Sequence, residues 1–153
     1  MPWNAPYTFA PEETPPAQLL NEQIRDNITA LHSPQAGEVT WTSDKTTTAT
    51  GFDPISGLSI TLVSTGRDML VALTGAAKLS VSGTVVLDFA QDGVRLGGAT
   101  PGTTRTTADG NISFSRIVTG LTSGVSYTFT VEWRVTSGTG TLYANGQFYA
   151  REI

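Results

Sequence analysis

The sequence predicts a mainly β protein: an antiparallel β-sandwich or jelly roll, preceded by an extended N-terminal arm and one α-helix. Three observations carry this. From Glu38 onward, apolar and polar residues alternate with a period of two in several short runs. Turn dipeptides, Asp92-Gly93, Asp109-Gly110 and Asn145-Gly146, punctuate those runs. Only one stretch, LLNEQIRDNITALHSP at 19–34, spaces its apolar residues by three and four. The expected organisation is therefore an arm over 1–14, a connector helix and turn over 15–37, and a β-sandwich over 38–153.

Pro2, Pro6 and Pro11 punctuate the arm, which also carries Trp3, Tyr7 and Phe9. Proline removes backbone donors and favours extended chain. Three aromatics there either pack back on the same chain or anchor the arm to a partner, since aromatics dominate interface hot spots.

In the helix, Thr14 suits the N-cap and Pro15 the first helical position, where a missing N–H is harmless. Ala17, Leu20, Ile24, Ile28 and Leu31 fall on one stripe, and Pro34 and Gly37 end the element, giving a helix over about 15–31. The stripe is narrow, like a coiled-coil seam. Leu20, Ile24, Asn27 and Leu31 make a heptad-like series, and a polar residue in such a seam can specify register and strand number. So short a seam needs help from the next domain to hold an oligomer.

The strands follow. In LSITLVS, Leu58, Ile60 and Leu62 alternate with Ser59 and Thr61. In VSYTFTVEWRV, Val125, Tyr127, Phe129, Val131, Trp133 and Val135 share one parity. VVLDFA directs Val85, Leu87 and Phe89 one way, and NISFSRIV does the same with Ile112, Phe114 and Val118. DMLVAL is apolar on both parities, as a strand covered on both faces would be. A neighbouring subunit is the expected second cover, with Met69, Val71 and Leu73 as candidates for the contact, though a covering loop or the helix would also serve. Asn145-Gly146 between TLYA and QFYAREI reads as a hairpin turn.

Charged residues make up only 14 % of the chain and net charge is −4, so a phosphate-binding nucleic-acid role has no electrostatic basis. Apolar residues at 39 % argue against disorder. There is no cysteine, so disulfides add nothing and stability must come from packing or assembly. No apolar run reaches the ~18 residues of a membrane helix, and MPWNAPYTFAPEE lacks the layout of a signal peptide. Folding in the cytoplasm of the producing cell is the expectation.

A catalytic constellation is not legible. The single histidine, His32, sits where its charge would favour the helix C-terminus, and one His without Cys leaves no usual transition-metal ligand set. Asp88, Asp92 and Asp109 lie near strand ends, and turn duty accounts for the last two; a glycosidase pair would need two acids ~5–10 Å apart. Trp41, Tyr143 and Tyr149 are candidates for stacking on sugars, whereas Trp133 lies on the core parity. No metal or cofactor is expected.

PAQLLNEQIRDNITALHSP resembles a segment of tailed-bacteriophage virion proteins that precedes a β domain. Ala17-Gln18-Leu19-Leu20-Asn21 and Ile24-Arg25-Asp26-Asn27-Ile28 are the matching positions; Ile28 replaces a commoner Leu and an extra Leu shifts the start. DMLVALTG, DGVRLGG, VTGLTSGVSYTFTVEWRV and SGTGTLYANGQFYAREI are similar to jelly-roll, TNF-like domains on phage fibres and appendages. GLTSGVSYTFTV also resembles the tyrosine-corner region of fibronectin type III modules, with Leu121 and Tyr127 in the matching roles. The virion resemblance implies a non-enzymatic homotrimer in the virion: a tail fibre, a head or neck appendage, or a decoration protein contacting capsid, neck or tail. Trp3, Tyr7 and Phe9 would anchor it. Leu20, Ile24, Asn27, Leu31, Met69, Val71 and Leu73 would line subunit contacts. The alternatives are a receptor- or carbohydrate-binding module at a fibre tip, with no nucleic acid and no membrane insertion, and a virion-borne glycan-cleaving enzyme.

Overall fold

The computed structural model describes residues 14, 16–28, 34–80, 83–97 and 110–153. A short helix, α1 (Ala17–Asn21), runs directly into a wider π-helical turn (Glu22–Asp26). Ten strands follow: β1 (Ala36–Thr40), β2 (Lys45–Thr47), β3 (Asp53–Val63), β4 (Met69–Leu79), β5 (Val85–Gln91), β6 (Val94–Arg95), β7 (Gly110–Val118), β8 (Ser126–Val135), β9 (Gly140–Leu142) and β10 (Gln147–Glu152).

All strand pairs described are antiparallel. One sheet has β4 at its centre, with β7 on one side and β10 and β9 in succession on the other; β1 pairs with β10 and β2 with β9. The second sheet runs β3-β8-β5-β6. β1 and β2 are thus two halves of one strand, as are β9 and β10. In chain order the strands of one sheet are the first, eighth, third and sixth; those of the other are the second, seventh, fourth and fifth. That is the strand order of a jelly roll, one of the two architectures the alternation left open.

The core lies between the sheets. Phe129, Val131, Trp133 and Val135 of β8 face it, as do Val85, Leu87 and Phe89 of β5 and Ile112, Phe114 and Val118 of β7. Phe89 joins the two layers: its ring stacks on Phe114 at 4.3 Å and faces Phe148 at 6.0 Å between centroids. On one flank β1 lies against β3, and Gly37 permits it, because a Cβ there would press into Ile60 and Leu62. The loop into β8 is fixed by Thr122 N–H, which donates to the Tyr127 hydroxyl at 3.0 Å.

Met69, Val71 and Leu73 correct an expectation. All three point between the sheets and have no exposed surface. The apolar run of β4 is explained by this chain's own second sheet on that face, and on the opposite face by half-buried Leu70 and buried Ala72. They are not available to a neighbouring subunit.

Asn145-Gly146 does not make a hairpin. Leu142 opposes Ala77 and Gln147 opposes Thr74, so β9 and β10 continue along the same partner strand with two surplus residues bulged between them. Asn145 takes φ 66°, which the bulge requires. Asp92-Gly93 is the true tight turn, with φ 50° and 80°, joining β5 to β6. The helix also starts later than predicted. Pro16, at φ −58° and ψ 138°, occupies the cap position, with no side-chain cap bond. Consecutive prolines disfavour helical backbone in the residue before each, which delays the first turn.

Candidate functional site

Three regions concentrate chemistry. The first is the helix. Leu20, Ile24 and Ile28 are 42 %, 52 % and 49 % exposed, whereas Asn27 is buried and Leu19 and Gln23 are half-buried. The covered side of the helix is therefore partly polar, and its open side carries Leu20, Ile24 and Ile28 beside the polar Gln18, Asn21 and Arg25. In a regular α-helix, residues four apart overshoot a full turn by about 40° each step. The wider turn at Glu22–Asp26 takes up part of that drift and brings 20, 24 and 28 closer to one line. Leu20 and Ile24 of the expected seam are thus open to a partner, and Asn27 lies on the covered side. Leu31, His32, Trp3, Tyr7 and Phe9 lie outside the described residues. On the helix surface Gln18 Nε2 donates to Glu22 Oε1 at 3.1 Å.

The second is an acid–base cluster on the outer face of the β3-β8-β5-β6 sheet. Asp88 is almost fully buried there. Its Oδ2 accepts from Arg95 Nη2 at 2.9 Å, Arg95 Nε at 3.1 Å and Gly97 N–H at 3.1 Å, while Oδ1 accepts from Phe89 N–H at 2.9 Å. The Arg95 guanidinium stacks 3.5 Å over the Phe52 ring, and Arg134 lies 5.3 Å from the same ring. Glu132, buried on β8, stands directly opposite Asp88. Burial pushes its carboxyl above the ordinary range; the Arg95 charge opposes the shift, and those of Asp88 and Asp53 add to it. Both Asp88 oxygens are committed to donors, so Asp88 acts as a latch that holds the β6 turn against β5. Asp92 accepts from Thr128 N–H at 2.8 Å and serves its turn. Asp109 lies outside the described residues.

The third is the outer face of the other sheet. Trp41, expected as an exposed sugar platform, is instead 4 % exposed. It links β1 to the bulge: its Nε1 donates to the Tyr143 carbonyl at 2.6 Å, and its own carbonyl accepts from Asn145 N–H at 2.8 Å. The ring lies over Gly75 and Gly146, where any Cβ would crowd it. Two shallow hollows open on this face, one of them beside Trp41. One of about 470 Å³ is edged by Thr40, Trp41, Thr42, Thr74, Asn145, Gly146 and Gln147. The other, of about 380 Å³, is edged by Ala36, Gly37, Glu38, Gln147, Tyr149, Ala150 and Arg151. They meet at Gln147.

Sequence reasoning singled out Asp88 and Tyr149 but missed Glu132 and the hollows. Glu132 sits on the polar parity of β8, which reads as a wetted face. The overlooked signal was in β5, where Val86 and Ala90 share Asp88's parity and are apolar. Among the described residues, no group of three or more His, Cys, Asp or Glu is placed to hold a metal ion, and no helix is long and apolar enough to cross a membrane.

Fold and site together define the class: a mainly β, jelly-roll sandwich carrying a short helix ahead of its first strand. No family model matches the chain, and no curated protein matches it. Among solved structures, the chain is similar to one in the crystal structure of the T13 IBDV viral particle. Identity is 13 %, coverage 78 % of this chain and 35 % of that one, and the TM-score 0.44. It is also similar to one in the structure of the infectious bursal disease virus Gt strain, at 13 % identity, 78 % and 36 % coverage, and a TM-score of 0.33. This chain spans about a third of the length of those chains.

Proposed function

We propose that this chain is a non-enzymatic structural component of a bacteriophage virion: a trimeric fibre, appendage or decoration. It attaches to capsid, neck or tail through its N-terminal arm, with Trp3, Tyr7 and Phe9 as anchors, and through its helix. The observation that carries the reading is the exposed line of Leu20, Ile24 and Ile28 ahead of a β domain that closes its own core. Three large aliphatic side chains in line on one short helix favour a partner surface. The resemblance of residues 17–28 to virion connector segments supports the same reading, and jelly rolls recur in particle proteins, which is an argument by analogy.

The test is carried out on the full chain. Wild type is expected to be trimeric by light scattering at micromolar concentration and to be found in purified particles. Leu20→Ser, Ile24→Ser and Ile28→Ser together are expected to give a folded monomer that is no longer incorporated. A stable wild-type monomer that is absent from particles would overturn the proposal.

A further inference from the structure

We infer that the outer face of β1, β10 and β4 binds a neutral saccharide chain. This rests on that face alone and stands whether or not the assembly reading does.

Register builds the face row by row. Gln147 lies between Thr40 of β1 and Thr74 of β4, and Ser113 of β7 extends that row. Tyr149 lies between Glu38 and Ala72, with Ser115 beyond. Arg151 lies between Ala36 and Leu70. Phe148 and Ala150 point into the core, so Gln147, Tyr149 and Arg151 must point outward. Tyr149 is half-buried beside the small Ala72 and edges the smaller hollow.

Four features select the ligand. The face offers one aromatic ring with room beside it, which suits the apolar C–H face of a pyranose. The adjoining hollow is edged by side-chain amides and hydroxyls, from Gln147, Asn145, Thr40, Thr42 and Thr74; these groups both donate and accept, as sugar hydroxyls do. The two charges in the hollows, Glu38 and Arg151, have opposite signs, so the face favours neither a polyanion nor a polycation. The hollows join at Gln147. From Arg151 to Gln147 the face runs about 14 Å at ~3.4 Å per residue, longer than a single sugar. β10 and β4 are fixed on both sides by ladder hydrogen bonds and β1, at the sheet edge, on one, so little ordering is needed on binding. Nucleic acid would find too little positive charge here.

The experiment is an amide-resonance titration of the full chain with cellotetraose, maltotetraose and tetra-N-acetylchitotetraose, and with a sulfated tetrasaccharide for comparison. At least one neutral probe is expected to shift resonances of Thr40, Thr74, Asn145, Gln147 and Tyr149 together. Its affinity should be in the millimolar range, as shallow contact on one ring implies. Tyr149→Ala and Gln147→Ala are each expected to weaken it by about tenfold or more while distant resonances stay in place. Val94→Ser, on the opposite sheet, is expected to change nothing. The inference is overturned if no neutral probe shifts this face at millimolar concentration, if only the sulfated probe does, or if both variants bind as wild type does.

Discussion

The packing of Trp41 into the bulge can be tested by a double-mutant cycle with Gly146. Trp41 is 4 % exposed, so Trp41→Ala removes a nearly fully buried indole; the loss is about 3–5 kcal/mol. It also strands the Tyr143 carbonyl that Nε1 bonds at 2.6 Å, adding about 1 kcal/mol. Gly146→Ala places a methyl where the indole lies, and 2.8 Å from the Thr74 carbonyl oxygen. Forcing an extra methyl into a filled site costs about 1–3 kcal/mol. With Trp41 already truncated, the clash with the ring disappears and only the Thr74 contact persists. The double variant should therefore be more stable than the sum of the two losses predicts, by about 1 kcal/mol. Urea unfolding reads this directly: at a slope of about 2 kcal/mol per molar, the double variant's midpoint lies about 0.5 M above the additive value. Trp41→Phe, which keeps a ring but no donor, is a milder arm for the same cycle. Losses that add to within about 0.3 kcal/mol would refute the claim that the ring and Gly146 compete for one space.

Two further outcomes follow from buried carboxylates. Glu132 has a raised pKa in the folded chain, so folding favours its protonated form. Its favourable contribution is present below about 4.5 and is lost as pH rises through the raised value, so Glu132→Gln should melt higher than wild type near pH 7 and the gap should close in acid; an equal gap at both pH values would refute this. Glu152, 3 % exposed, accepts from Gln35 N–H at 3.0 Å, Thr65 N–H at 2.6 Å and Thr65 Oγ1 at 2.9 Å. Glu152→Ala leaves those donors stranded and should cost about 3 kcal/mol or more, with faster amide exchange at Gln35 and Thr65; unchanged exchange would show that the clasp is dispensable.

The sandwich was legible because its inner faces alternate cleanly: Phe129, Val131, Trp133 and Val135 are buried where period two placed them. Tyr127 was also legible, since its hydroxyl meets Thr122 in the corner that its motif suggested. What failed depended on partners distant in sequence. Asn-Gly signals positive φ, but whether the chain reverses or bulges there is decided by β4, which lies along both flanking strands and is distant in sequence. Trp41 was a candidate for exposure because it lies in a short strand just after the linker; Gly75 and Gly146, which make room for its ring, come from elsewhere in the chain. Met69, Val71 and Leu73 implied a second cover, and the cover on their side is the chain's own other sheet. The helix stripe was visible, but its realignment by a π-helical turn leaves no mark in spacing alone.

The Glu152 clasp bears on how the domain carries load. Gln35 exchanges hydrogen bonds with Glu152 through both backbone and side chain, where the N-terminal segment meets the sheet. From there β1 runs antiparallel to β10 over five paired positions, Ala36 with Arg151 through Thr40 with Gln147. A pull on the N-terminal segment directed along β1, while the rest of the sheet is held, strains the rungs of that ladder together, in shear, rather than peeling them one after another. For a domain tethered from that end, the same contacts that set equilibrium stability also resist detachment under tension.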